Sequence, residues 1–249
     1  MSAQTNPLLS KEEVTFYEEN GYYLYKKPLF SQEKQQELKQ IFEEQWELVG
    51  RKLNSELDTP HFRDERLLKF LLSDEVLDLV EPLLGPNIAL WSSHFICKEP
   101  FIGKQTPWHE DSAYWNGRLS RFDKLVTVWL AIDRSSEENG CMRVIPGTHN
   151  NGFSEYEAVD KDENIFATEI KKVDDSNAVY FELEAGECSL HDSRIMHGAK
   201  PNTSPYRRCG YTMRYFATDA KYIEEKNSPD FKIWLARGID LAGNRYENA

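Results

Sequence analysis

Trp108-His109-Glu110-Asp111 sets a histidine and an aspartate two positions apart. On an extended strand, residues i and i+2 point to the same face. His109 and Asp111 can therefore reach one ion while Glu110 points the other way. A third ligand has to come from elsewhere, and His191 and His197 compete for that place. His197 is the better candidate, just past a strand-like segment ending near His191, but spacing alone does not separate the two. Two imidazoles and one carboxylate on one face of an octahedral ion form the facial triad of non-haem Fe(II) oxygenases, which leaves open positions for a bidentate co-substrate and oxygen. An isolated His-x-Asp is a weak signal, and its weight here comes from a setting at the polar mouth of an expected β-domain.

A second group of residues suits anions. Arg207 and Arg208 lead into the apolar segment Gly210–Phe216 and cannot both be buried cheaply. One turned inward would grip a carboxylate through the planar fork of its guanidinium; the bland alternative leaves both in solvent at a strand start. Tyr114, Trp115, Asn116, Arg118 and Arg121 follow the His-x-Asp pair closely. They offer aromatic walls and cationic anchors for a small molecule bearing a carboxylate or phosphonate, with Arg118 or Arg121 touching the anion, unless this is an ordinary polar loop. His191-Asp192 is otherwise a supporting or core pair. His94 faces the cavity or the core, and His61 and His149 are packing or surface histidines. The polar stretch 154–175 is a lid or a solvent-facing insertion.

The elements that must position these groups fall into two textures. Ser10 with Glu13 makes a capping box ahead of Val14, Phe16 and Tyr17, and Asn20-Gly21 stops the run. Leu38, Ile41, Phe42, Trp46 and Val49 fall at helical spacing within 31–49. A further helical run passes from Leu67 to Leu84 and ends at Gly85-Pro86. From Ile88 onward the chain becomes β-like. Strands are expected at Ile88–Cys97, Leu125–Ile132, Cys141–Ile145, Ala178–Leu183, Cys188–His191 and Gly210–Phe216. Leu125–Ile132 is apolar at nearly every position, as in a strand covered on both faces. Short strands without βα alternation predict an antiparallel sandwich or small barrel with helices outside it. No linker divides the chain, so one domain over 1–249 is expected, its helical part about 10–85 packing on a β core about 86–217.

Bulk composition narrows the function classes. With 249 residues, 40% hydrophobic and 29% charged, the chain can build a sizeable core and is not disordered in character. A formal net charge of −12 argues against a nucleic-acid partner and an anionic membrane surface. Cys97, Cys141, Cys188 and Cys209 form no CxxC, which disfavours structural zinc and favours free thiols in a reducing compartment. The amino terminus lacks a basic patch followed by an apolar run, and no stretch nears the ~20 apolar residues of a membrane span. The expectation is a cytoplasmic protein; the oligomeric state is left open.

Taken together, several segments resemble the phytanoyl-CoA dioxygenase family of Fe(II)/2-oxoglutarate-dependent oxygenases. They are Pro107–Asp111, Val128-Trp-Leu-Ala-Ile-Asp133, Glu138–His149, Leu190-His191, His197-Gly198, Pro201-Asn202 and Arg207-Arg208. The resemblance implies a double-stranded β-helix (a jelly roll, cupin-like). It assigns Fe(II) to His109, Asp111 and His197, and the distal carboxylate of the co-substrate 2-oxoglutarate to Arg208. Trp129 would line the co-substrate side, while Asn139-Gly140 and Pro146-Gly-Thr148 would be scaffold. Position 110, often glutamine in that family, is glutamate here, an added charge expected near the entrance. The implied reaction couples decarboxylation of 2-oxoglutarate and reduction of oxygen to hydroxylation of an unactivated C–H bond. Asp111 fills the place where halogenating relatives leave a vacancy for halide, which favours hydroxylation. Desaturation, cyclisation or epoxidation are alternatives with the same cofactors. A cupin-like metalloprotein without oxygenase activity and a silent binding protein are the outside rivals.

Overall fold

The computed structural model describes residues 8–50 and 57–248; most of the amino-terminal stretch read for targeting lies outside them. The chain opens with helix α1 (Lys11–Asn20), strand β1 (Tyr22–Tyr25) and helix α2 (Gln32–Leu48). Both bonds of the Ser10–Glu13 capping box form, and Gly21 closes α1 at φ 79° while donating its N–H to the Tyr17 carbonyl. The expected run from Leu67 to Leu84 is broken into a short helix α3 (Leu68–Leu71) and α4 (Asp74–Leu84). The break falls at Leu72-Ser73, where the Ser73 hydroxyl bonds back to the Phe70 carbonyl and competes with the helical ladder.

Two antiparallel sheets then build a jelly roll. Six strands lie in the order β1, β9 (Cys188–Asp192), β4 (Leu125–Ala131), β11 (Arg208–Ala217), β2 (Ile88–Lys98) and β12 (Trp234–Arg237). The smaller sheet runs β3 (Thr106–His109), β10 (His197–Ala199), β5 (Met142–Val144) and β8 (Val179–Tyr180). A hairpin, β6 (Tyr156–Ala158) with β7 (Thr168–Ile170), stands beside them. The two-part division of the chain differs in detail from the sequence expectation: β1, from the helical part, and β12, beyond residue 217, both join the large sheet. Both segments are short and lack a clear alternation, so their pairing partners decide their state.

The large sheet is covered on both faces. Val126, Val128 and Leu130 share a core with Leu38, Phe42, Val76 and Val80 of the helices. Trp129 and Ala131 turn the other way and pack with Met142, Val144 and Ile195, on the side of the small sheet. Period-two alternation with apolar residues on both faces explains why β4 is apolar throughout. It also leaves the inward face of β11, which carries Arg208, Gly210, Thr212 and Arg214, opposite the small sheet.

Candidate active site

His109 and His197 are direct register partners on the neighbouring strands β3 and β10. Asp111 is the first residue of the short helix α5 (Asp111–Trp115), not a strand residue. The i, i+2 strand geometry expected for His109 and Asp111 is therefore replaced by a strand-to-helix corner. Glu110 is extended there, at φ −114° and ψ 129°, and the turn into α5 brings the Asp111 carboxylate back over the strand end. Ligand-type atoms of His109, Asp111 and His197 lie within 4.8 Å of one another, and all three residues are buried. The Asp111 Oδ1 atom is 3.7 Å from Nε2 of His109 and 3.9 Å from Nε2 of His197.

The protonation states suit a divalent cation. Each histidine places Nδ1 against the backbone carbonyl two residues before it, His109 on Pro107 at 2.8 Å and His197 on Ile195 at 2.9 Å. That arrangement makes Nδ1 the donor and leaves the Nε2 lone pair facing Asp111. Burial, then the nearby His197, holds His109 down at about 3, hence neutral. Burial pushes the Asp111 carboxyl up, but Arg214 and the histidines outweigh it and keep the group below the usual carboxylate range. A neutral imidazole beside an ionised carboxylate is what metal binding requires. Among the described residues, no hydrogen-bond donor reaches the Asp111 carboxylate. The three residues thus fit an iron ion. His191 lies beside them, with Nε2 4.0 Å from Asp111 Oδ2 and its ring 5.1 Å from that of His197, outside the three-residue cluster.

These residues line one cavity of about 420 Å³ between the sheets. Arg208 enters it from β11, 3% exposed, with Nε and Nη2 donating to the Gly140 carbonyl at 3.1 and 2.7 Å and its guanidinium 5.4 Å from the Trp129 ring. Arg207, its neighbour, points to the opposite face and clamps Glu43 and Asp133. Strand alternation thus resolves the two-arginine question. Gly140, at φ 76°, must be glycine, because a Cβ would also meet the Lys200 carbonyl at 2.5 Å. Asn139 holds that turn through the Ser136 N–H and the Arg134 carbonyl. Lys98, opposite Arg208 in register, has its ammonium donating to the Lys104, Ala199 and Lys200 carbonyls. Burial, then Arg208, draws it well below the usual lysine range.

Other expected site residues divide. Tyr114, Trp115 and Arg118 line the cavity, as do His94 and Trp129. Arg121 does not; it pairs with Asp123 and Asp219 at the surface. Glu110 is fully buried and accepts hydrogen bonds from Ser154 and Tyr156, so it anchors the base of the β6–β7 hairpin instead of charging the entrance. The 154–175 segment is no detached insertion. It sets Ile165 and Phe166 into the cavity wall, and the Phe166 ring meets His109 edge-on at 4.9 Å. Of the remaining histidines, His61 and His149 are buried packing groups held by Ser93 and by the Glu18 carbonyl. Arg214, Lys98, Gly210 and Phe166 escaped the sequence reading. For Arg214 a signal existed, since it shares strand parity with Arg208.

Comparison with known proteins agrees with this geometry. The chain is 28% identical over 271 residues to the peroxisomal phytanoyl-CoA dioxygenase of Bos taurus, covering 97% of this chain and 78% of that protein. A non-haem α-ketoglutarate-dependent carbocyclase, SnoK from nogalamycin biosynthesis, superposes with a TM-score of 0.70 at 26% identity, covering 87% of this chain and 89% of that one. The non-haem monooxygenase ThoJ shares the fold, with a TM-score of 0.78 at 22% identity over 94% of this chain and 87% of its own. The cytoplasmic expectation is overturned here, because the bovine, rat and human relatives are peroxisomal proteins; only a lack of recognised targeting features stood behind it. Among the described residues no helix is long and apolar enough to cross a membrane. The buried triad marks an enzyme that takes Fe(II), 2-oxoglutarate, molecular oxygen and a small-molecule substrate. With the sequence profile of phytanoyl-CoA dioxygenase (PhyH) matching residues 17–210, the chain belongs to the phytanoyl-CoA dioxygenase family of oxygenases.

Proposed function

We propose that the protein hydroxylates an unactivated C–H bond of a small or medium-sized anionic metabolite. In this reading His109, Asp111 and His197 hold the iron, Arg208 grips the far carboxylate of 2-oxoglutarate, and Trp129 walls the co-substrate. The observation that carries it is the buried three-residue cluster sharing one cavity with an inward arginine. Bound there, iron with 2-oxoglutarate supplies the oxidation: the keto acid becomes succinate and carbon dioxide, O₂ is consumed, and one oxygen atom enters the C–H bond.

The chain's own residues orient and shield that chemistry. Arg208 spends one edge of its fork on the Gly140 carbonyl, which aims the other donors into the cavity. Pro107 and Ile195 carbonyls fix both imidazoles, so neither ring can rotate its Nε2 away. Phe166 and Tyr114, 5.2 Å apart, both pack against the His109 ring and wall that side of the cavity.

Succinate formed in step with oxygen uptake is the test, with product mass separating gain of oxygen from the hydrogen loss of ring closure. Asp111→Ala is expected to cut turnover by at least about a hundredfold, since losing even a residue that merely supports a ligand costs ~10–100-fold. Near wild-type turnover in that variant would contradict the assigned role.

A further inference from the structure

We propose that Arg118 and Arg214 form an anion subsite on the substrate side of the cavity, seating the carboxylate or phosphonate of a compact organic acid. The proposal rests on the oxygenase reading and deepens it by naming the substrate class.

Arg214 projects from the inward face of β11 and is 8% exposed. Its Nε has no hydrogen-bond partner. Its contacts are a long bond from Nη1 to the Ser92 hydroxyl at 3.5 Å, the face of Trp115 at 5.1 Å, and Asp111 Oδ2 at 3.8 Å from Nε. A buried guanidinium so poorly satisfied is costly unless an anion completes it. Asp111 does not complete it once its charge is shared with a divalent cation. Arg118 reaches the same wall. Its Nε is fixed by Asn227 Oδ1 at 2.6 Å, and its guanidinium lies over the rings of Trp91 at 5.2 Å and Phe231 at 4.8 Å. Trp91 and Trp115 meet edge-to-face at 4.5 Å, so the two arginines stand on one rigid aromatic wall. Burial lowers Arg118 from its usual range, against the opposing charges of Tyr222 and Asp58, and Arg214 adds a smaller lowering. Besides Asp111, the acidic residue on this cavity is Asp58, whose side chain is mostly exposed and lies 3.7 Å from His94.

Size and position refine the class. A cavity of about 420 Å³ is near the low end of small-molecule sites, roughly 300–1,000 Å³, and it must also house 2-oxoglutarate. The part of the occupant held inside is a compact acid. Because Arg214 sits against Asp111, the head group lies beside the iron ligands and the oxidised carbon is close to it.

Anaerobic calorimetry on the full chain with Fe(II) and 2-oxoglutarate bound tests this, using 3-phenylpropionate, 2-phenylethylphosphonate and the neutral 3-phenylpropanamide as probes. At least one anion is expected to bind at least about tenfold tighter than the amide, and the tighter one names the head group. Arg118→Gln and Arg214→Gln are each expected to weaken that anion at least about tenfold, ~1.4 kcal/mol, with partial recovery in the lysine variants and with 2-oxoglutarate still bound. Equal binding of amide and anions, or no binding of either anion, overturns the subsite. So does an Arg214→Gln effect on iron affinity alone, which would make Arg214 only a support for Asp111. Arg118 lies apart from the metal ligands and keeps the test decisive if the Arg214 variant misfolds. Absence of any succinate formation would sink the oxygenase reading instead; anion failure with succinate still formed sinks only the subsite.

Discussion

Gly210 shows how a residue without a side chain shapes the site. A Cβ there would lie 2.0 Å from Cζ2 and 2.2 Å from Cε2 of Trp129. The ring therefore lies flat against β11, between Arg208 and Thr212, only because position 210 is bare. Gly210→Ala is expected to push the ring into the co-substrate half of the cavity. The overpacking cost is about 1–3 kcal/mol, and 2-oxoglutarate affinity should fall more than tenfold in calorimetry; unchanged affinity would show that the ring yields freely. Nothing in the local sequence announces this glycine, because the clash is with a residue on the neighbouring strand. His109, Asp111 and His197, by contrast, were legible as metal-binding types. By residue type alone Arg208 was legible only as one of a pair; the family resemblance singled it out, and strand phase supplies the physical reason that it is the one turned inward.

The decisive elements are corners and clamps. The β3–α5 corner brings His109 and Asp111 together and turns Glu110 into a buried latch for the β6–β7 hairpin. On the other face, Arg207 joins α2 to the end of β4 through Glu43 and Asp133, with Lys39 also on Asp133 and Phe42 beneath the guanidinium. Burial raises the Asp133 carboxyl, but Arg207 and Lys39 outweigh it and leave it below its usual range. A depressed carboxyl stabilises the fold above its unfolded value, ~3.9, and that stabilisation is lost as pH falls through the lower folded value. Arg207→Ala is thus expected to cost about 2 kcal/mol in urea unfolding at neutral pH. The gap to wild type should narrow below about pH 4; a gap constant with pH would assign the loss to packing alone. Helices α1 and α2 were legible because caps and stripes are local. The break between α3 and α4 and the strands β1, β6, β7, β10 and β12 were not, because so few residues carry no readable period.

At the scale of the molecule, two sheets close on ligands carried by different elements, so binding and folding are linked. Iron with 2-oxoglutarate at about a hundred times the dissociation constant should add ~2.7 kcal/mol. Thermal unfolding is expected to shift upward with Fe(II) and 2-oxoglutarate together, and a chelator should reverse the shift and abolish succinate formation. A melting temperature indifferent to both would mean that the cluster holds no metal. None of Cys97, Cys141, Cys188 and Cys209 forms a disulfide, so no covalent crosslink competes with this linkage.

Residue type and strand period, properties of a few neighbours along the chain, were enough to announce a β-domain with outer helices, a metal-binding chemistry and an arginine for a carboxylate. The family resemblance had already set His197 above His191; sending Arg121 to the surface, burying Glu110 and aiming Arg214 at Asp111 were left to tertiary structure. Those outcomes depend on which strands lie side by side and in what register, and register is set by contacts between residues far apart in the chain.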